Sequence, residues 1–171
     1  MTISSGKNNN KKHEENGFVE ILNQKATKET FFQSQKAKRL YDWWCSFHPN
    51  CPTRDDFDIL HHIHDAGEFF LYKVISRDEY EIRLNGEVAS DIIRKQYSGI
   101  TVSAETAKDD PHLLSLIPYL QQIYDDKTPY ICTGKFRDRL DRLRRFQSID
   151  CPLLGKDSNV VQIIGILEAI D

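Results

Sequence analysis

A chain of 171 residues with a formal net charge of −3 is about one domain long and lacks the basic excess of a general nucleic-acid binder. Apolar residues make up 39%, including nine Phe, seven Tyr and two Trp, enough for one compact core, yet no run approaches the ~18 apolar residues of a membrane helix. The N-terminus has no apolar signal-peptide core, and Cys45, Cys51, Cys132 and Cys151 are scattered rather than set out as a disulfide framework, so a reduced, cytoplasmic protein without membrane or nucleic-acid partners is expected.

Residues 1 to 26 read as a mobile tail, because Asn8-Asn9-Asn10-Lys11-Lys12 and its surroundings offer little to bury. Phe18, Val19, Ile21 and Leu22 form only a small apolar patch in it. The folded domain is expected over residues 27 to 171. Phe32, Ala37, Leu40, Tyr41, Trp44 and Phe47 recur at helical spacing opposite Lys36, Lys38 and Arg39, which predicts an amphipathic helix ending before Pro49. Asp55 or Asp56 offers an N-cap for a short helix through Phe57, Ile59, Leu60 and Ile63, stopped at Gly67.

Phe69 to Ser76 and Glu79 to Leu84 are rich in aromatic and β-branched residues and flank a tight turn at Arg77-Asp78, the signature of a hairpin. Helical material follows around Val88, Ala89, Ile92 and Ile93, then a longer helix from Pro111 to Asp126 with Pro118 inside it. Tyr130 to Phe136, Leu143 to Leu153 and Val160 to Ala169 are three closing strands. Two strands, a helical middle and three strands predict an α+β fold: a five-stranded antiparallel sheet with the central helices on one face and a helix before it.

That order resembles the PAS fold. Leu40-Tyr41-Asp42-Trp43-Trp44, Pro52-Thr53-Arg54-Asp55-Asp56-Phe57-Asp58, Arg83-Leu84-Asn85-Gly86, Tyr97-Ser98-Gly99 and Cys151-Pro152-Leu153 follow one another as in the single-domain PAS-like family abundant in alphaproteobacteria. Ile59 and Asp157-Ser158 stand where that pattern has a proline and an Asp-Gly. The resemblance implies a non-catalytic bacterial signalling domain that senses a small molecule, binds a partner signalling protein, or does both. It also implies pairing of two copies through the first helix, by Phe32, Trp43, Trp44 and Phe47, aromatics that equally suit a core.

In such domains a ligand sits between the inner sheet face and the central helices. Here Tyr72, Val74, Ile82, Leu84, Ile163 and Leu167, with Gly165, are expected on that face, giving apolar walls around a hydrophobic ligand or a filled core. A second reading places an anionic, nucleotide-like ligand or an acidic partner on Arg137, Arg139, Arg142, Arg144 and Arg145, although Asp138 and Asp141 within the same stretch can neutralise it. His61 and His64 lie three apart beside Asp65, but no second ligand pair supports zinc or haem there, and no cofactor is expected. No Walker, nucleophile-elbow, dinucleotide or zinc-protease motif is present, so a small enzyme with a pocket between sheet and helices is only the rival reading.

Overall fold

A computed structural model describes residues 17–170. Residues 1 to 16, most of the expected tail, lie outside that range. The chain order is β1 (Phe18–Lys25), α1 (Gln35–Cys45), two 3-10 segments (Arg54–Asp56 and Ile59–Glu68), β2 (Phe69–Ser76), β3 (Glu79–Asn85), α2 (Glu87–Ile93), β4 (Thr101–Val102), α3 (Pro111–Asp126), β5 (Tyr130–Arg137), β6 (Leu143–Leu154) and β7 (Val160–Ala169). All the strands join one antiparallel sheet in the order β1-β5-β6-β7-β2-β3-β4. The architecture is therefore α+β, as expected.

The sheet has seven strands rather than five. The five expected from sequence form its continuous centre, and each edge gains one. At one edge β4 contributes two residues, Thr101 and Val102, opposite Glu81 and Tyr80. At the other, β1 pairs with β5 from Phe18 opposite Phe136 to Lys25 opposite Tyr130. The ordered fold thus begins before Thr27, and residues 18 to 25 are a strand instead of tail. Backbone pairing, not burial, holds β1: of its residues only Phe18 is even partly buried.

Strand alternation divides the core between the two faces of the sheet. On the inner face Phe70, Tyr72, Ile82, Cys132, Phe146, Ile163 and Leu167 pack beneath α2 and α3 with Ile92, Leu113, Leu120 and Ile123. On the outer face Phe69, Ile131, Ile149, Leu153, Ile164 and Ile166 pack against Ala37 and Leu40 of α1. The Ser34 side chain caps α1 by accepting from the Ala37 N–H at 3.0 Å. Gln147 fixes the approach to α1, its Oε1 accepting from the N–H groups of Gln33 and Ser34 at 2.9 and 2.8 Å. The second 3-10 segment is capped by Asp58, which accepts from the Leu60 N–H, rather than by Asp55 or Asp56. Asp56 instead accepts from the Thr53 N–H and hydroxyl. α3 runs through Pro118 without ending.

Candidate functional site

β6 carries the decisive alternation. Phe146, Ser148 and Asp150 face inward while Gln147, Ile149 and Cys151 face α1, so a carboxyl is delivered into the apolar inner core. Asp150 pairs with Tyr130 on one side and Gly165 on the other. The Phe70 ring occupies the space that a side chain at position 165 would fill, with ring carbons 2.2 and 2.4 Å from the site of a Cβ.

Between this face and α3 lies a cavity of about 250 Å³. Phe70, Leu116, Phe146 and Leu167 supply much of its apolar wall, and Phe18, Ile21 and Asn23 of β1 close the side at the sheet edge. Asp150 is 2% exposed. Its Oδ2 accepts a hydrogen bond from the Tyr119 hydroxyl at 2.6 Å, whereas its Oδ1 has no partner among the described residues. Burial pushes the Asp150 carboxyl up to about 7, against the opposing pull of the Tyr119 bond. Burial likewise raises the Tyr119 and Tyr72 hydroxyls well above their ordinary value and the Cys132 thiol to about 12. It lowers His112, also on the wall, to about 4, so this ring is neutral. Phe18 stacks on His112 at 5.3 Å and meets Phe146 edge-on at 4.9 Å.

Of the residues expected on the inner face, Tyr72 and Leu167 line this cavity, while Ile82, Ile163 and, more loosely, Val74 belong to the core around it. Leu84 does not. Register opposes Leu71 to Leu84 and Tyr72 to Ile82, so the extra residue Arg83 forms a bulge that turns Leu84 to the outer face. The expectation of almost wholly apolar walls is also corrected, since Asp150, Asn85, Ser115 and His112 are on the wall. Asp150 was legible as an acidic residue on the even-numbered face of a strand whose odd-numbered face reads Gln147, Ile149, Cys151.

The arginines do not converge on a receptor. Arg142 pairs with Asp138 at 2.7 Å, Arg139 with Asp91 at 2.7 Å and Arg137 with Asp141 at 3.8 Å. Arg144 lies over the Phe136 ring, 5.9 Å from its centroid. Arg137 and Arg145 are exposed on the β5–β6 hairpin, which turns over 138–142. Exposed pairs of this kind stabilise little, but they occupy three of the five guanidinium groups that would grip phosphate, those of Arg137, Arg139 and Arg142. Calorimetric titration with ATP is therefore expected to give no heat at low or high salt. Binding that Arg144→Ala and Arg145→Ala together abolish would overturn that expectation.

The aromatic helix is largely committed within the chain. Phe32, expected at an interface, is buried in the outer core. Trp43 meets Phe47, Phe57 and His62 edge-on at 5.2, 5.6 and 5.7 Å, and the Trp44 indole donates to the Pro152 carbonyl at 2.8 Å. Phe47 is half-buried. Asp65 is gripped by Arg39, whose Nη2 lies 2.8 Å from Oδ1 and 3.1 Å from Oδ2. His62 stacks on Phe57, and its pKa is lowered by burial. His61 and His64 are exposed, and among the described residues no group of three His, Cys, Asp or Glu is placed to hold a metal ion.

Among the described residues no helix is long and apolar enough to cross a membrane. No protein-family model and no curated protein sequence matches the chain. Solved structures with a similar chain path include an RNA-binding light-oxygen-voltage receptor, at 13% identity and a TM-score of 0.48 over 90% of this chain and 39% of that one. The chain thus spans about two fifths of that receptor's length. A light-oxygen-voltage domain studied with a flavin analogue matches at 11% identity and a TM-score of 0.46, covering 68% of this chain and 87% of that domain. The PAS domain of BvgS from Bordetella pertussis matches at 15% identity and a TM-score of 0.47, covering 69% and 88% of the two chains.

Proposed function

We propose that this protein is a non-catalytic, PAS-like sensory domain that binds a small molecule in the cavity between β6 and α3 and passes the bound state to a partner protein in the cytoplasm. The observation that carries the reading is the cavity itself, with one carboxyl oxygen left without a partner inside an otherwise close-packed core. Interiors normally leave few voids and pair nearly every buried polar atom. A void and an unpaired acceptor at the same place describe a site completed by something else. The strand–helix–strand order agrees with the resemblance drawn from the five sequence segments.

A non-catalytic role fits the chemistry of the wall. Asp150 is the only carboxyl there among the described residues, and the neighbouring hydroxyls and thiol are held protonated by burial. Among the described residues no activated nucleophile faces the void. For a pairing of two copies at the start of α1, Phe31, which precedes the helix and is 77% exposed, is better placed than the buried Phe32.

Xenon enters apolar cavities, and the part of this one walled by Ile93, Leu116 and Leu167 is apolar. On exposure to xenon, the methyl resonances of Ile93, Leu116 and Leu167 are expected to shift while those of Ile149 and Leu153, packed under α1, stay in place. Native mass spectrometry of freshly purified protein is expected to show a small molecule retained with the chain. Unmoved methyls at all five positions, with no retained molecule, would overturn the cavity-binding reading.

A further inference from the structure

The cavity wall is chemically one-sided. Among the described residues it contains no Lys or Arg, and the one histidine described there is neutral. Several of its polar side chains are already spent within the protein. The Asn85 amide donates to the Lys95 carbonyl at 3.3 Å, the Ser115 hydroxyl to the His112 carbonyl at 2.7 Å and the Tyr119 hydroxyl to Asp150 at 2.6 Å. Among the fully buried polar side-chain atoms described, Oδ1 of Asp150 is an acceptor without a donor. An unpaired buried acceptor is expensive, and more so when it carries charge. An anionic ligand would meet that carboxyl with no cationic side chain among the described wall residues to balance it. A wholly apolar ligand would fill the void and leave the oxygen unpaired.

Resting on the cavity-binding reading above, we propose that the ligand is a small organic cation of one or two rings, an amine or amidine that donates an N–H to Oδ1 of Asp150 while its rings pack on Phe70, Leu116 and Leu167. The size follows from comparison with a cavity of about 150 Å³, which accommodates benzene; about 250 Å³ is larger by part of a second ring or a short side chain. The charge follows from the carboxylate. A cation satisfies the oxygen's hydrogen bond and neutralises the buried charge in one step, as paired buried ions must.

Binding of a cation therefore tracks ionisation of Asp150. The titratable groups around it are Tyr119 and His112 from α3, Tyr72 from β2, Cys132 and Tyr130 from β5, and Cys151 on β6 itself. Among the wall residues, β7 contributes Leu167, α2 contributes Ile93 and β1 contributes Asn23, none of them titratable. The hydroxyls and thiols are pushed up and His112 down, so near neutral pH only Asp150 changes charge in this group.

The test uses benzylamine as the cationic probe beside indole (a neutral N–H donor), toluene and benzoate. Binding is measured by calorimetry at about pH 5.5 and about pH 8.5, where the carboxyl is expected to be mostly neutral and mostly charged. Benzylamine is expected to bind the unaltered protein roughly tenfold or more tightly than toluene or indole at the higher pH. That preference should shrink at the lower pH and vanish in Asp150→Asn. The pH comparison uses the unaltered protein, so it decides the matter even where the variant fails to fold. Equal binding of indole, toluene and benzylamine, or tighter binding of benzoate, would overturn the cation and leave the cavity-binding reading standing. Failure of all four probes while xenon still enters would also overturn the cation alone. Failure of xenon as well would overturn both.

Discussion

Asp150→Asn is expected to stabilise the unliganded protein above neutral pH and to leave it no more stable in acid. Folding raises this carboxyl from 3.8 to about 7 by burial. Between those values the folded state holds a proton that the unfolded state has released, so stability falls as pH rises across the window. The penalty is absent below about pH 4 and complete above about pH 7; at 1.36 kcal/mol per unit it amounts to about 4 kcal/mol. Asparagine cannot ionise and escapes it. Its amide N–H groups, donors placed where the carboxyl oxygen accepted, bring a smaller cost of about 1–3 kcal/mol. The net gain at alkaline pH is then about 2 kcal/mol, or about 5 °C in melting temperature for a domain of this size. Melting curves of both proteins from acid to alkaline pH measure it. The exposed acids held low by partners, such as Asp125 beside Arg77 and Asp138 beside Arg142, act in both proteins and cancel in the difference. Parallel curves across the whole range would show that the carboxyl is not buried as described.

The segments that make this chain resemble PAS-like proteins turn out to be joints of the fold. Trp44 ties α1 to β6 through the Pro152 carbonyl, bringing two of those segments together. Asp56 closes a capping turn on Thr53, and the Tyr97 hydroxyl donates to Asp110 at 2.9 Å, linking the loop before β4 to the cap of α3. Gly86 sits where a Cβ would lie 2.3 Å from the Gly67 carbonyl oxygen. Gly99 takes a φ of +84°, which an L side chain rarely adopts. Such residues specify where elements meet, and the five strands expected from Phe69 onward match almost to the residue, with only the two-residue β4 missed. They say little about what the core holds. The order Asp150-Cys151-Pro152-Leu153 reads as part of a buried strand, and only the face assignment shows that the Asp150 carboxyl enters a void. The bulge at Arg83 escaped because alternation carried through that residue assigns Leu84 to the wrong face.

β1 was lost for a different reason, and the strongest test of its place is Gly134→Ala. Its pattern, Phe18-Val19-Glu20-Ile21-Leu22-Asn23-Gln24-Lys25, has no clean period of two, and a strand at a sheet edge needs no buried face to be held by hydrogen bonds. The signal lay in its partner. A glycine inside a strand often marks a close approach of another backbone, and Gly134 is the one glycine of β5. Pairing slips between Phe18 and Glu20, and a Cβ at position 134 would lie 1.9 Å from the Glu20 carbonyl oxygen and 2.9 Å from the Phe146 ring. A methyl group there cannot be absorbed by rotating a side chain, because the nearest obstacle is backbone. β1 must move off β5. Overpacking of this kind costs about 1–3 kcal/mol, which for a domain of this length lowers the melting temperature by about 6 °C. Hydrogen exchange should localise the loss: amides of Phe18–Lys25 become unprotected while those of β6 and β7 keep their protection, since edge elements open independently of a core. Because Phe18, Ile21 and Asn23 wall the cavity, the same variant should bind benzylamine less tightly even though Asp150 is untouched. Unchanged protection over residues 18 to 25 would remove β1 from the domain. Lost protection with unchanged benzylamine affinity would instead leave β1 in the sheet but take it out of the binding site.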